Sequence, residues 1–197
     1  MISLMSPSSP FKVREMNSEL KIGLALGSGA ARGMSHIGVI NALATMGIEP
    51  AIVCGTSVGS LVGASYAAGR LESLESWARA LSRLDVARFI DISPSFSGFV
   101  DTDRLHEFLN NHVSADDAVI EDLQKSYASV ATDLAMGREV WLNEGSVIQS
   151  VWASMSLPGL FPAIKHNNSW LVDGGLVNPI PVSVCRAMGA DIVIAVN

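Results

Sequence analysis

Cysteine is scarce in this chain, with Cys54 and Cys185 the two representatives in 197 residues. Each lies in an apolar run, where a free buried thiol is expected, and two cysteines make no disulfide framework. That usage suits a reducing compartment, so a cytoplasmic protein is expected. Charge is scarce too. Only 16% of residues are charged, and 13 Lys and Arg stand against 19 Asp and Glu, a net charge of −6. Without a basic stripe, nucleic-acid binding is excluded, as is attraction to anionic lipid by charge alone. Apolar runs long enough to span a membrane, ~18–20 residues, are missing as well. The first twenty residues carry Ser6-Pro7-Ser8-Ser9-Pro10 and lack a basic stretch followed by an apolar core. Residues 1–20 are therefore read as a flexible leader rather than a signal peptide.

What remains is apolar, 49% hydrophobic, and of single-domain size, so residues 21–197 are expected to form one domain. Lys21 to Leu26 reads as a buried strand that stops at Gly27-Ser28-Gly29. Gly33 to Met46 carries Met34, Ile37, Ile40 and Leu43 at helical spacing. Ala51 to Cys54 reads as a second strand, and Val58 to Ala68 as a helix rich in small residues and apolar on all sides. Leu71 to Leu84 is amphipathic. Ile92 to Val100 is turn-rich and carries Phe96 and Phe99. Asp101 to Asn111 reads as a helix, Ala128 to Thr132 and Glu139 to Leu142 as strands, and Ser146 to Met155 as a helix. Trp170 to Val172 is a short strand, Pro181 to Met188 a helix, and Asp191 to Val196 a final strand. Strands alternating with helices imply an α/β fold of three layers, with helices on both faces of a mostly parallel sheet. The chain stops at Asn197 inside an apolar strand, which fits either a buried strand as the last element or a truncated C-terminus.

Three segments carry chemistry. Gly55-Thr56-Ser57-Val58-Gly59 stands between a strand and a helix, the setting in which this spacing forms a sharp turn that exposes a serine hydroxyl. A serine nucleophile needs a base. Four histidines are present, His36, His106, His112 and His166, and none follows Asp173, so the chain order Ser, acid, His is not available. His106 and His112 fall in or beside a polar helix, and His166 in a polar turn, where exposure is expected. His36 stands near a helix start, in a structural role or in support of the glycine-rich loop. Asp173, at a strand end before two glycines, is the better base candidate, although an Asp-Gly turn has a plain structural use as well. Gly27-Ser28-Gly29-Ala30-Ala31-Arg32-Gly33 offers backbone N–H groups at a helix start, which suits an oxyanion hole. It also brings a dinucleotide loop to mind, but Arg32 stands where that pattern needs its third glycine.

In that order, together with Ala153-Ser154-Met155-Ser156-Leu157-Pro158-Gly159 and Asn178-Pro179, these segments resemble the patatin-like phospholipases. The likeness is strongest to short bacterial members related to neuropathy target esterase, and it runs from about Ile22 to Val196. The resemblance implies a three-layer α/β fold and a Ser–Asp dyad that needs neither metal nor cofactor. It implies Ser57 as nucleophile and Asp173 as base, with Gly29 and Ala30 as the oxyanion hole. Arg32 would steady the loop or approach a phosphate, Gly33 would support the loop, and Gly55 and Gly59 would form the nucleophile elbow. The implied substrate is a lipid ester or lysophospholipid, with transient membrane-surface contact. Phe96 and Phe99, in their turn-rich segment, either meet acyl chains or a membrane surface or are ordinary core residues, as large aromatics usually are. One departure stands out. Ser28 and Ala30 interrupt the family's glycine run, and a residue with a Cβ resists positive φ at position 30. A non-catalytic regulatory or lipid-binding module on the same fold is therefore the alternative. Oligomeric state is not legible.

Overall fold

The computed structural model describes residues 20–81 and 102–197. Nearly all of the expected leader, Phe96, Phe99 and the expected extension of the third helix to Leu84 lie outside them. Among the described residues, seven strands form one sheet: β1 (Ile22–Leu26), β2 (Ile52–Thr56), β3 (Ser126–Asp133), β4 (Arg138–Leu142), β5 (Ile164–His166), β6 (Ser169–Asp173) and β7 (Ile192–Val196). The helices among the described residues are α1 (Ser35–Thr45), α2 (Val58–Ala67), α3 (Leu71–Ala80), α4 (Thr102–His112), α5 (Val147–Met155) and α6 (Val182–Ala187). The strand order is β5-β6-β3-β2-β1-β7, with β4 also paired to β3. Strands β7, β1, β2 and β3 run parallel, β4 and β6 pair antiparallel with β3, and β5 pairs antiparallel with β6.

Period-two alternation divides the parallel strands between two apolar layers. Leu24, Leu26, Val53 and Tyr127 join the cluster that holds α1, α2 and α5. Ala25, Ile52, Cys54, Ala128 and Val130 face the other way, onto Val184 and Cys185 of α6. Because both faces are covered, these strands read as continuous apolar runs rather than alternating ones. Both cysteines are buried and free.

The helices follow from their composition. In α2 nine of ten residues are buried, which only small side chains allow this close to a sheet. α3 buries Leu74 and half-buries Leu71 and Trp77, and it stops at Ala80, where Leu81 turns extended. Its expected continuation through Leu81 is thereby corrected. The helix expected from Gly33 is also two pieces, a 3₁₀ turn over Ala30–Met34 followed by α1. The polar turn expected around His166 is part of a hairpin, with β5 paired to β6 and His166 opposite Ser169. Three residues of mixed polarity are too short a run to betray a strand by periodicity.

One feature of the register positions the site. β3 pairs with β2 up to Thr56↔Val130 and with β6 from Ala131↔Asp173 onward. β4 pairs with β3 across Ser129 to Asp133 and overlaps both of those stretches. A strand has two edges, so β4 takes one, and β2 and β6 share the other. The C-terminal ends of β2 and β6 therefore meet head-on along β3. Ser57, the residue after β2, and Asp173, the last residue of β6, stand at that junction.

Candidate active site

Ser57 lies in the tight link between β2 and α2, with φ 57° and ψ −125°. Positive φ at a residue with a side chain costs of order 1–3 kcal/mol and persists where the surroundings impose it. Two close approaches impose it here. A Cβ on Gly55 would stand 2.3 Å from the Gly59 carbonyl oxygen, and one on Gly59 would stand 2.2 Å from the Leu26 oxygen. Both glycines of the Gly-x-Ser-x-Gly pattern are thus demanded by backbone packing of α2 onto the turn and onto β1. Ser57 is the N-cap of α2 but makes no side-chain cap bond. Its hydroxyl points instead at Asp173, donating to Oδ2 at 2.6 Å.

Asp173 is buried, 4% exposed. Its other oxygen accepts the Gly175 amide at 2.7 Å, its own amide donates to the Ser156 carbonyl at 2.9 Å, and Thr132 donates to its carbonyl at 2.8 Å. A Cβ on Gly174 would stand 2.1 Å from the Val130 carbonyl oxygen, so glycine must follow the aspartate. Burial pushes the Asp173 carboxyl above its ordinary value, and the bonds from Ser57 and Gly175 pull the other way. A raised carboxylate is a stronger base, which suits a group that must accept a hydroxyl proton.

The glycine-rich loop closes over the same junction. Gly27 and Ser28 direct their amides to the carbonyls of Val196 and Pro179. The start of the 3₁₀ turn at Ala30 leaves its first amides without a partner inside the turn, which makes Gly29 and Ala30 the loop's candidate donors. Ala30 adopts φ 48°, the left-handed region that its Cβ disfavours. Ties from the loop to its neighbours hold it there. Arg32 donates its amide back to the Gly29 carbonyl, and a Cβ on Gly33 would stand 2.9 Å from Val58 Cγ1. The Arg32 side chain is exposed and makes no ion pair among the described residues. His36 is buried beneath the loop, and its ring Nε2–H donates to the Gly27 carbonyl at 2.9 Å.

None of the four histidines bonds to Ser57 or Asp173 among the described residues. His106 pairs with Asp116 at 3.2 Å, and His112 Nδ1 lies 3.0 Å from the Ser73 hydroxyl. His166 is half-buried rather than exposed, because β5 pairing holds it. Sequence reasoning assigned no role to Ser154, Ser156 or Thr132, which hold the two candidate residues in place. Ser154 and Ser156 stand in the Ala153–Gly159 segment, so that run was the available signal; Thr132 gave none. The segment after Asp173 links the remaining parts, since Thr56 donates to the Asn178 carbonyl at 2.9 Å and Pro179 accepts from Ser28.

A family model described as patatin-like phospholipase matches residues 24–186. The NTE family protein Rv1063c of Mycobacterium tuberculosis is 35% identical over 193 residues, covering 98% of this chain and 53% of the relative. Lysophospholipase NTE1 of Yarrowia lipolytica is 37% identical over 185 residues, covering 89% of this chain and 12% of the relative. The chain thus spans about half the length of the mycobacterial relative and a small part of the yeast one. The crystal structure of VipD from Legionella pneumophila shares the fold, with a TM-score of 0.58 at 15% identity, covering 82% of this chain and 47% of that one.

Proposed function

The chain belongs to the patatin-like phospholipase family, and from that premise we propose that it is a serine acyl hydrolase of lipid esters, of lysophospholipase or phospholipase A type, working through Ser57 and Asp173. The observation that carries the reading is the 2.6 Å bond from a strained, half-exposed Ser57 to a buried Asp173. A serine that only capped α2 would turn its hydroxyl to the helix amides. In the proposed reaction Asp173 takes the Ser57 proton as the serine oxygen attacks the ester carbonyl carbon. The negative charge on the carbonyl oxygen is met by the amides of Gly29 and Ala30, an effect of ~3–4 kcal/mol per donor in comparable sites. Asp173 then passes its proton to the departing alkoxide and leaves an acyl-serine. Water, deprotonated by Asp173, attacks that ester, and the proton returns to Ser57.

Exposed apolar side chains support an acyl substrate. Leu176 and Val177 follow Asp173 closely, and Leu157 follows Ser156, whose carbonyl holds the Asp173 amide. They offer contact to an acyl chain or to a lipid surface. No helix among the described residues is long and apolar enough to cross a membrane.

The test uses a fluorophosphonate probe and a short p-nitrophenyl ester. The wild-type chain is expected to be labelled at Ser57 and to hydrolyse the ester. Ser57→Ala should lose both while keeping its circular dichroism, and Asp173→Asn should lose hydrolysis. Hydrolysis retained by folded Ser57→Ala would refute the reading. A wild-type chain that is never labelled would favour a non-catalytic module.

A further inference from the structure

We infer that Ser154 is a positioning residue, whose buried hydroxyl holds the Ser57 amide and so fixes the strained backbone from which the Ser57 hydroxyl projects. The inference rests on Ser57 being the nucleophile.

Ser154 lies near the C-terminal end of α5 and is fully buried. Its hydroxyl accepts the Ser57 N–H at 2.9 Å and donates to the Val130 carbonyl at 2.6 Å. The same oxygen thus connects the turn after β2 to the middle of β3. The other two buried serines of this segment behave differently. Ser150 donates to Val147 and Ser156 to Trp152, carbonyls three and four residues back along the chain. That back-bonding is the ordinary use of a serine in a helix. Ser154 reaches across to the sheet instead.

The position of its acceptor explains why this matters. Val130 is the β3 residue opposite Thr56, and its carbonyl oxygen is the atom that Gly174 approaches so closely. The Val130 peptide therefore touches both sides of the junction between β2 and β6. By bonding to that peptide and to Ser57 together, the Ser154 hydroxyl ties the nucleophile's backbone to the strand that sets Asp173. A residue that accepts and donates from one atom is required, and alanine does neither. The bond also occupies the Ser57 amide, which leaves the oxyanion to be met by donors other than the nucleophile's own N–H.

The experiment compares wild type, Ser154→Ala, Ser154→Cys, Ser154→Thr and Ser150→Ala in the full chain. The readouts are the second-order rate of fluorophosphonate labelling at Ser57, kcat and KM on a p-nitrophenyl ester, and thermal unfolding. Ser154→Ala is expected to slow labelling and lower kcat by about 10- to 100-fold, the range that misplacing a reacting group costs, with KM unchanged. Ser154→Cys, close in size but weak as donor and acceptor, should be slowed as well. Ser154→Thr, which keeps the hydroxyl, should recover most of the rate. Ser150→Ala removes a buried hydroxyl from the same helix and should lower stability without slowing labelling. Ser154→Ala and Ser154→Cys labelled at the wild-type rate would overturn the inference. So would Ser150→Ala slowed by the same factor, since loss of helix packing would then suffice. Wild type that never labels would overturn the esterase reading and this one together; labelled wild type with an unaffected Ser154→Ala overturns this one alone.

Discussion

Placing the same alanine at two glycines should move stability in opposite directions. At Gly59 the added Cβ would lie 2.2 Å from the Leu26 carbonyl oxygen and 2.5 Å from that of Gly27, both backbone atoms of β1 and the loop after it. Contacts under 3.0 Å are essentially never found, so the N-terminus of α2 must retreat from β1 by about 0.8 Å, the difference between those distances. Overpacking of this kind costs about 1–3 kcal/mol. In a chain of this size each kcal/mol shifts Tm by about 2–4 °C, so Gly59→Ala should melt about 2–12 °C below wild type. Ser57 is two residues away and moves with the helix start. A displacement near 1 Å costs about 10²-fold in reactivity, so fluorophosphonate labelling should slow by that order. At Gly38, exposed on α1, an added Cβ meets nothing within 4 Å. There the intrinsic helix preference decides, and Gly38→Ala should gain about 0.8–1 kcal/mol, a rise of roughly 2–4 °C. Thermal unfolding by circular dichroism and labelling kinetics measure both variants. Gly59→Ala with wild-type Tm and labelling rate would refute the close approach of α2 to β1, and a destabilised Gly38→Ala would refute the contrast itself.

Asp173 and Ala30 supply two more predictions. Burial raises the Asp173 carboxyl, so hydrolysis should fail on the acid side above the ordinary range of about 3.9, as the base takes up a proton. Because the folded state holds that proton to higher pH than the unfolded chain, the associated stability is full below the unfolded value and lost as pH rises through the folded one. Asp173→Asn, neutral throughout, should thus be at least as stable as wild type at pH 7, with the advantage gone near pH 3.5. Urea midpoints at the two pH values measure this, and a variant weaker than wild type at pH 7 would contradict it. Ala30→Gly relieves a left-handed residue at φ 48°. The relief is worth about 1–2 kcal/mol, of which the extra freedom of unfolded glycine takes back about 0.4–1. Tm should rise slightly with labelling kept, and a fall in Tm would show that position 30 is not strained.

Much of the outline was legible in the sequence because its causes are local. The Gly55–Gly59 spacing marks a strand-to-helix turn, and its first glycine is required locally, since a Cβ there would meet the Gly59 carbonyl four residues on. The apolar run of β1 and the small residues of α2 declare burial on all sides without reference to any partner. β5 was not legible, since three residues of mixed polarity make a strand only because β6 pairs with them.

The sequence by itself determined which residue types were present to react, a serine in a tight turn and an aspartate before two glycines. It determined that no histidine follows Asp173 and that the glycine run is broken at Ser28 and Ala30. Only the tertiary structure decided that residues 116 positions apart meet at 2.6 Å. That outcome depends on β2 and β6 sharing one edge of β3, a matter of register between distant strands. Only the tertiary structure decided, too, that Ala30 is left-handed and that Ser154 bonds to Ser57 rather than back along its own helix. In each case the partner lies far away in sequence, and a local pattern records a residue's own preferences but not what the fold brings against it.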